Sequence, residues 1–261
     1  MNIAAFTGSH TISSRRFRVL QYLDFLKKRG IDVDEFIANY GSWPPTEGWK
    51  RPIWFILTFL DRIQPVIRSR KYDLTLLQRE LISTLFTLER FAGRPLIIDV
   101  DDAVWLTSDR SRKNFLKLIR FADGIICGNS YIYESLADFN SNRVILPTAV
   151  DTRRFNVKRN NNNNKRKIIG WSGLAAGSKY LLSVEKPLMQ ILENDSNAIL
   201  RVVSDSIPNF RLLKPHMLEY IKWTPENEVS TIQEMDIGLM PLQISYIVAI
   251  TNEHRKPHVS P

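Results

Sequence analysis

Three groups of residues in this chain of 261 have types and spacings suited to chemistry. The first is the acidic run Asp99, Asp101 and Asp102 in LIIDVDDAVW, directly after an apolar stretch. Such a stretch reads as a buried strand, and alternation along it puts Asp99 and Asp101 on one face if the strand continues. In an α/β sheet, acids at the carboxyl end of a strand line a cleft. Three carboxylates there repel unless neighbours or substrate groups compensate. Asp101 and Asp102 are the candidates for contact with a substrate hydroxyl, and a fold-stabilising cluster is the alternative. The second group is Arg15, Arg16 and Arg18, beside the loop Gly8–Ser14. These are either cations for an anionic group or a solvated helix face. The third is Lys167–Leu182, KIIGWSGLAAGSKYLL. A short apolar run ends in a turn with Gly170, Gly173 and Gly177, and Lys179 opens the helical pattern that follows. Strand, glycine turn and helix can offer backbone N–H groups to a phosphate. The spacing is neither the dinucleotide fingerprint nor a Walker loop, so an ordinary tight βα turn stands as the alternative.

The elements that must position these groups alternate along the chain. Strands are expected at Asn2–Phe6, Ile31–Ala38, Leu74–Gln78, Leu96–Val100, Gly124–Cys127 and Val144–Leu146. Between them lie helical patterns: a first helix capped by Ser13–Ser14, one from Pro52 to about Arg68, then Leu81–Phe91, Arg112–Phe121 and Tyr131–Phe139. Strands separated by helices at this spacing predict a parallel sheet. Residues 151–167 break the pattern. They hold five consecutive asparagines, Asn160–Asn164, and read as an exposed linker between residues 1–150 and a second alternation over 168–242. That second unit is expected to hold strands at Ile168–Trp171, Ile199–Ser204, Tyr220–Trp223 and Asp236–Leu242, a helix over Ser178–Leu192 and a helix capped by Thr224. Residues 243–261 form a divergent tail, and the second unit looks unfinished.

Composition narrows the function classes. With 44% hydrophobic and 24% charged residues the chain is globular. The single cysteine, Cys127, excludes an intramolecular disulfide and sits in an apolar run, as a buried structural thiol does. No secretory leader or membrane-spanning run is visible, so a cytoplasmic location is expected. The net charge of +9 is uneven: residues 1–158 carry 24 basic against 17 acidic side chains, and residues 159–261 carry 12 against 10. The basic half suits an anionic partner. Trp49–Lys71, apolar and aromatic with basic ends, reads either as a helix lying on an anionic membrane surface or as a buried crossover helix. None of His10, His216, His254 and His258 falls in a metal-ligand spacing, so no metal is expected.

Several stretches, in order, resemble the retaining nucleotide-sugar glycosyltransferases of the B-type fold, the broad family 4 or group 1. SSRRFRVLQYLDFLKKRGIDV is similar to the opening loop and first helix of their acceptor domain, and LIIDVDDAVW to their D-x-D-D segment. ADGIICGNSYIYESL and VILPTAVDTRRF resemble the strand, helix and linker that follow, with Thr148 and Ala149 replacing the usual pattern. IIGWSGLAAGSKYL and IKWTPENEVSTIQEMDIGLMPL resemble the start of the donor domain. The resemblance implies two Rossmann-like domains facing a cleft and transfer of a hexose-type unit from a nucleotide-diphosphate sugar to a glycan or lipid-linked acceptor, in surface polysaccharide assembly. It implies no cofactor besides the donor and no nucleic-acid partner. It places Ser172, Gly173, Lys179, Arg16 and Glu226 (or Glu228) near the donor. Ser14, Arg15, Arg18 and Asp99 fall on the acceptor side, with Asp101 and Asp102 as the reactive acids. Residues 243–261 match nothing in the family, which implies a truncated or frame-shifted copy; a divergent short member is the alternative. Two rival readings remain: a non-catalytic remnant or basic binding module, and an aspartyl phosphotransferase using Asp99 and Asp101. The second is disfavoured because its motif belongs on a first strand.

Overall fold

A computed structural model describes residues 1–241 apart from 11, 42, 84, 107 and 158–165. The chain divides into two compact units, Met1–Asp151 and Thr152–Pro261. In the first, the apolar runs become β1 (Asn2–Thr7), β2 (Asp32–Ile37), β3 (Leu74–Leu77), β4 (Leu96–Val100), β5 (Gly124–Cys127) and β6 (Arg143–Ile145). They pair in the order β2-β1-β3-β4-β5-β6, all parallel. The order reverses between β1 and β3, and the carboxyl ends of all six strands share one edge. In open α/β sheets ligands bind at such a reversal. Leu77, Leu96, Ile98 and Ile125 pack under Phe115, Leu118, Ile119, Ile132 and Leu136 to make the core. Cys127 is buried there, and burial pushes its thiol up to about 11.

The helices of this unit are α1 (Ser13–Arg18), α2 (Leu23–Lys27), α3 (Arg51–Ser69), α4 (Asp109–Phe121) and α5 (Ser130–Ser135). The single first helix expected from the sequence is broken at Val19, and a 3-10 turn, Leu20–Tyr22, joins its halves. Ile12, not a serine, stands at its N-cap, with no side-chain hydrogen bond. Arg18 turns inward to an ion pair and Val19 is buried, and together they override the helical period. Gly30, at φ +75°, follows α2 and ends it.

The helix expected over Leu81–Phe91 does not form. One isolated bridge, Ile82 to Leu85, and a 3-10 turn, Glu89–Phe91, replace it. The cause is Glu89, which is fully buried and accepts the backbone N–H groups of Leu81 (2.9 Å) and Thr87 (2.5 Å). A carboxylate thus takes the place of helical carbonyls. Helix α3 runs through Pro65 without interruption, and its C-terminal turn meets Gly93, where a Cβ would lie 2.3 Å from the Ser69 carbonyl oxygen.

The second unit holds β7 (Lys167–Ser172), β8 (Ala198–Ser204), β9 (Leu218–Lys222) and β10 (Ile237–Gly238), with α6 (Ser178–Leu182), α7 (Glu185–Asn194) and α8 (Glu228–Gln233). Its sheet is parallel, in the order β10-β7-β8-β9. The expected helix Ser178–Leu192 is split at Val184, because buried Glu185 turns to accept N–H groups from Arg211, Leu212 and Leu213 at 2.7, 2.6 and 3.2 Å. Thr224 does not cap α8. It exchanges hydrogen bonds with Asn227, and the helix starts at Glu228. The asparagine run and the tail 243–261 lie outside the described residues.

Replacing Glu89 by alanine leaves one buried and one part-buried N–H group unpaired and is expected to cost about 2–4 kcal/mol. Urea denaturation checks this: the midpoint falls and the slope holds. An unchanged midpoint would contradict the bridging role.

Candidate functional site

The sequence candidates of the first unit gather at the carboxyl edge of its sheet, but several are already engaged. Arg18 donates from Nε and Nη2 to Asp99 at 2.5–2.9 Å and from Nη1 to the Leu146 carbonyl (3.0 Å) and Thr148 Oγ1 (2.9 Å). Both side chains of the pair are nearly enclosed, 3% and 5% exposed. Burial pulls the Arg18 guanidinium down, and Asp99 outweighs it, so the net shift is upward. The cavity beside this pair, lined by Phe17, Tyr22 and Leu146 among others, is about 40 Å³. That is water-sized, far too small for a sugar ring. Arg15 forms a second pair: Nε and Nη2 donate to the Glu35 carboxylate at 3.0 and 2.8 Å. Arg15 and Arg18, expected on the acceptor side, therefore act as fasteners between α1 and the sheet rather than as a solvated helix face. The bidentate hold on Asp99 also removes it as an aspartyl nucleophile. Arg16 is 8% exposed, and its guanidinium lies 5.2 Å from the centre of the Phe17 ring. The Ser14 carbonyl accepts from Gln78 Nε2 at 3.0 Å, which ties α1 to the end of β3 across the order reversal.

What stays presented at that edge is Asp101, Asp102 and a residue the sequence reading missed, Arg79. Asp102 is exposed, 75% for its side chain, and sits 3.3 Å from Arg79 Nη2. The Arg79 guanidinium also lies 4.9 Å from the centre of the Trp43 ring. Arg79 has φ +89°, a region non-glycine residues occupy at a cost of about 1–3 kcal/mol. Its place directly beyond β3, next to the reversal, is the signal that could have pointed to it. Desolvation, and next the charge of Asp102, push the Asp101 carboxyl up against the pull of Arg79, so it takes a proton more readily than a surface aspartate. An acid so poised, beside a cation and an exposed carboxylate, can donate to or accept from a hydroxyl. Gly128 seals this floor: a Cβ there would lie 3.1 Å from Asp101 Cα. The next residue on, Glu80, is pushed up to about 7 by desolvation, and its Oε1 is enclosed without a partner.

In the second unit the carboxyl edge carries Ser172 at the end of β7, Asp205 after β8 and Glu226 after β9. The glycine turn is shaped by packing. A Cβ on Gly170 would lie 2.1 Å from Met235 Sδ, and one on Gly173 would lie 2.6 Å from the Trp171 ring. The Ala175 N–H is taken by Asp205 Oδ1 at 2.7 Å, and the Gly173 N–H by the Val203 carbonyl at 3.1 Å. Two of the expected phosphate donors are thus satisfied within the protein. Ser172 and Lys179 are exposed, the Lys179 ammonium 4.9 Å from the centre of the Tyr180 ring. The Thr224 hydroxyl and the backbone hold the exposed Glu226 carboxyl below its usual range. Glu228 is buried, with Arg154 at 3.8 Å. Among the described residues no group of three or more His, Cys, Asp or Glu is placed to hold a metal ion.

No family model and no curated protein matches the sequence. Solved structures do. The trehalose-6-phosphate protein of E. coli bound with UDP-2-fluoro glucose superimposes with a TM-score of 0.60 at 10% identity, over 93% of this chain and 79% of that one. An alpha-glucosyltransferase in complex with UDP and a 13-mer DNA gives 0.59 at 14% identity, over 94% and 73%. The S. aureus MnaA–UDP structure gives 0.57 at 14% identity, over 89% and 70%. The chain has the B-type glycosyltransferase fold. The two parallel sheets implied by the sequence resemblance are borne out at an identity where sequence alone carries little.

Two measurements test this geometry. Arg18→Ala strands a buried carboxylate and is expected to cost about 3–5 kcal/mol in urea unfolding, whereas a solvated cation would cost almost nothing. Glu80 binds its proton more tightly folded than unfolded, so its share of stability is full below the unfolded value and is lost as pH rises towards about 7. Glu80→Gln is expected to raise stability by roughly 1–3 kcal/mol at pH 7.5 and to flatten the profile between pH 5 and 7.

Proposed function

We propose that the chain transfers a sugar from a nucleoside-diphosphate sugar to a hydroxyl of a glycan or lipid-linked acceptor, in surface polysaccharide assembly. The likeness of fold over 89–94% of the chain to structures holding UDP or a UDP-sugar carries this reading. The chemistry asks for cationic groups near a departing diphosphate and for a carboxylate near ribose hydroxyls. Lys179 and Ser172, both exposed, suit the first task, and Glu226, held ionised, suits the second. Asp101 and Asp102, beside Arg79, suit the acceptor hydroxyl. Arg15, Arg18 and Asp99 serve by fixing α1 on the sheet edge.

A second reading, a non-catalytic module on the same fold, draws on the glycine turn. Its glycines are accounted for by Met235 and Trp171, and its Ala175 and Gly173 N–H groups are satisfied inside the protein.

Calorimetric titration with UDP and GDP and their sugars separates the two. The transferase reading expects UDP- or GDP-sugar binding in the micromolar to millimolar range, weakened about tenfold by Lys179→Ala. Asp101→Asn should then lower turnover and leave nucleotide affinity unchanged. Absence of any nucleotide binding by a folded chain would sink the transferase reading.

A further inference from the structure

Helix α3 is apolar on both sides. Towards the sheet it buries Thr58, Arg62, Val66 and Ser69 and packs Phe59 and Ile63 against the core. Towards solvent it presents Ile53, Ile56, Leu57, Leu60 and Ile67, between 38% and 59% exposed. At 3.6 residues per turn these five fall within about 100° of arc and run for roughly 21 Å along the axis. Just before the helix, Trp49 continues the row at 72% exposure. The row is unbroken from Ile53 to Leu60, is crossed by the exposed Gln64 and resumes at Ile67; an exposed apolar row of this size marks an interaction surface.

We propose that this outward face of α3 docks on an anionic lipid surface. The charges around it select that occupant. Lys50 and Arg51 stand at one end of the stripe, and Arg68, Arg70 and Lys71 at the other. The acids nearby are outnumbered: Glu47 pairs with Lys50, Asp34 lies 3.8 Å from Arg68, and Asp61 accepts from Asn39. An apolar row with cations at both ends fits acyl chains below and phosphate headgroups around them. A second copy of the chain is a poor fit, because both ends are basic and two such faces repel in either orientation. A single span is excluded too, since no helix of the described residues is long and apolar enough to cross a membrane. Trp49 and Trp43, the latter 55% exposed, stand at the basic N-terminal end, as aromatic rings do at a headgroup boundary. The inference does not rest on sugar transfer, because none of these side chains except Trp43 touches the candidate site.

Co-sedimentation of the whole chain with phosphatidylcholine vesicles, with and without about one-third phosphatidylglycerol, tests it. Binding to the anionic vesicles is expected, and should fall at least about tenfold on neutral vesicles or in ~0.5 M salt. Ile56→Glu with Leu60→Glu should abolish it while circular dichroism and melting stay unchanged, since both side chains point to solvent. A blue shift of tryptophan emission on binding should shrink in Trp49→Phe. Equal binding to neutral and anionic vesicles, or full binding by the double variant, would overturn the proposal. So would a dimer that ignores vesicles and dissociates in the double variant.

Discussion

Taking Arg18 and Asp99 out of water costs several kilocalories per mole for each ion, and only close geometry repays it. Here the geometry is close: two guanidinium nitrogens face the carboxylate, and the third reaches a carbonyl and a hydroxyl on the segment after β6. One side chain thereby joins α1, the middle of the first sheet and residues 146–148. The pair also decides which acids remain for chemistry. Asp99 is spent on Arg18, so the acids this edge leaves outside that pair are Asp101 and Asp102. The Arg15–Glu35 pair does the same job towards β2 and anchors the other end of α1.

Most strands were legible because short apolar runs bury in a parallel sheet; the edge strands β2, β6 and β10 are largely unburied. The helices were less so, and three of the failures share a cause. Leu81–Phe91, Ser178–Leu192 and the Thr224 cap each fail beside a polar side chain that takes over backbone donors: Glu89, Glu185 and Asn227. Periodicity carries no record of a carboxylate buried against N–H groups many residues away. Candidate positions were legible in the same partial way. Strand ends told where Asp101, Asp102, Ser172 and Glu226 would lie. They could not tell that Arg15 and Arg18 would be consumed by Glu35 and Asp99, nor that Arg79 would adopt a left-handed conformation beside Asp102.

The glycine turn shows how a motif misleads. Glycines between a strand and a helix suggest room for a phosphate, yet Met235 and Trp171 occupy the space at Gly170 and Gly173. Asp205, itself exposed, adds a negative charge against the Ala175 N–H, and hydrogen bonds from that region hold its carboxyl below its usual range against desolvation. A diphosphate approaching this turn would meet a carboxylate as well as Lys179. The exposed side chains of Ser172 and Lys179, rather than the backbone, are what the turn offers an anion.

Helix α3 follows from a local need of the first sheet. The carbonyls of Thr7 and Phe36 stand where β1 and β2 end, and both accept from Arg62. Arg62 is 3% exposed, with the Phe6 ring 5.8 Å from its guanidinium, and desolvation depresses its basicity, offset only in part by the charge of Asp61. A helix that must turn an arginine inward to satisfy strand ends places its opposite face 180° away. In α3 that opposite face is mostly leucine and isoleucine, interrupted by Gln64, so the apolar row lies in solvent. Ordinary amphipathic design would have put Ile53, Ile56 and Leu60 on the sheet and the arginine outside. The reverse arrangement holds a desolvated cation and exposed aliphatic side chains at once, and a surface that takes up the aliphatic face removes the second of these two penalties.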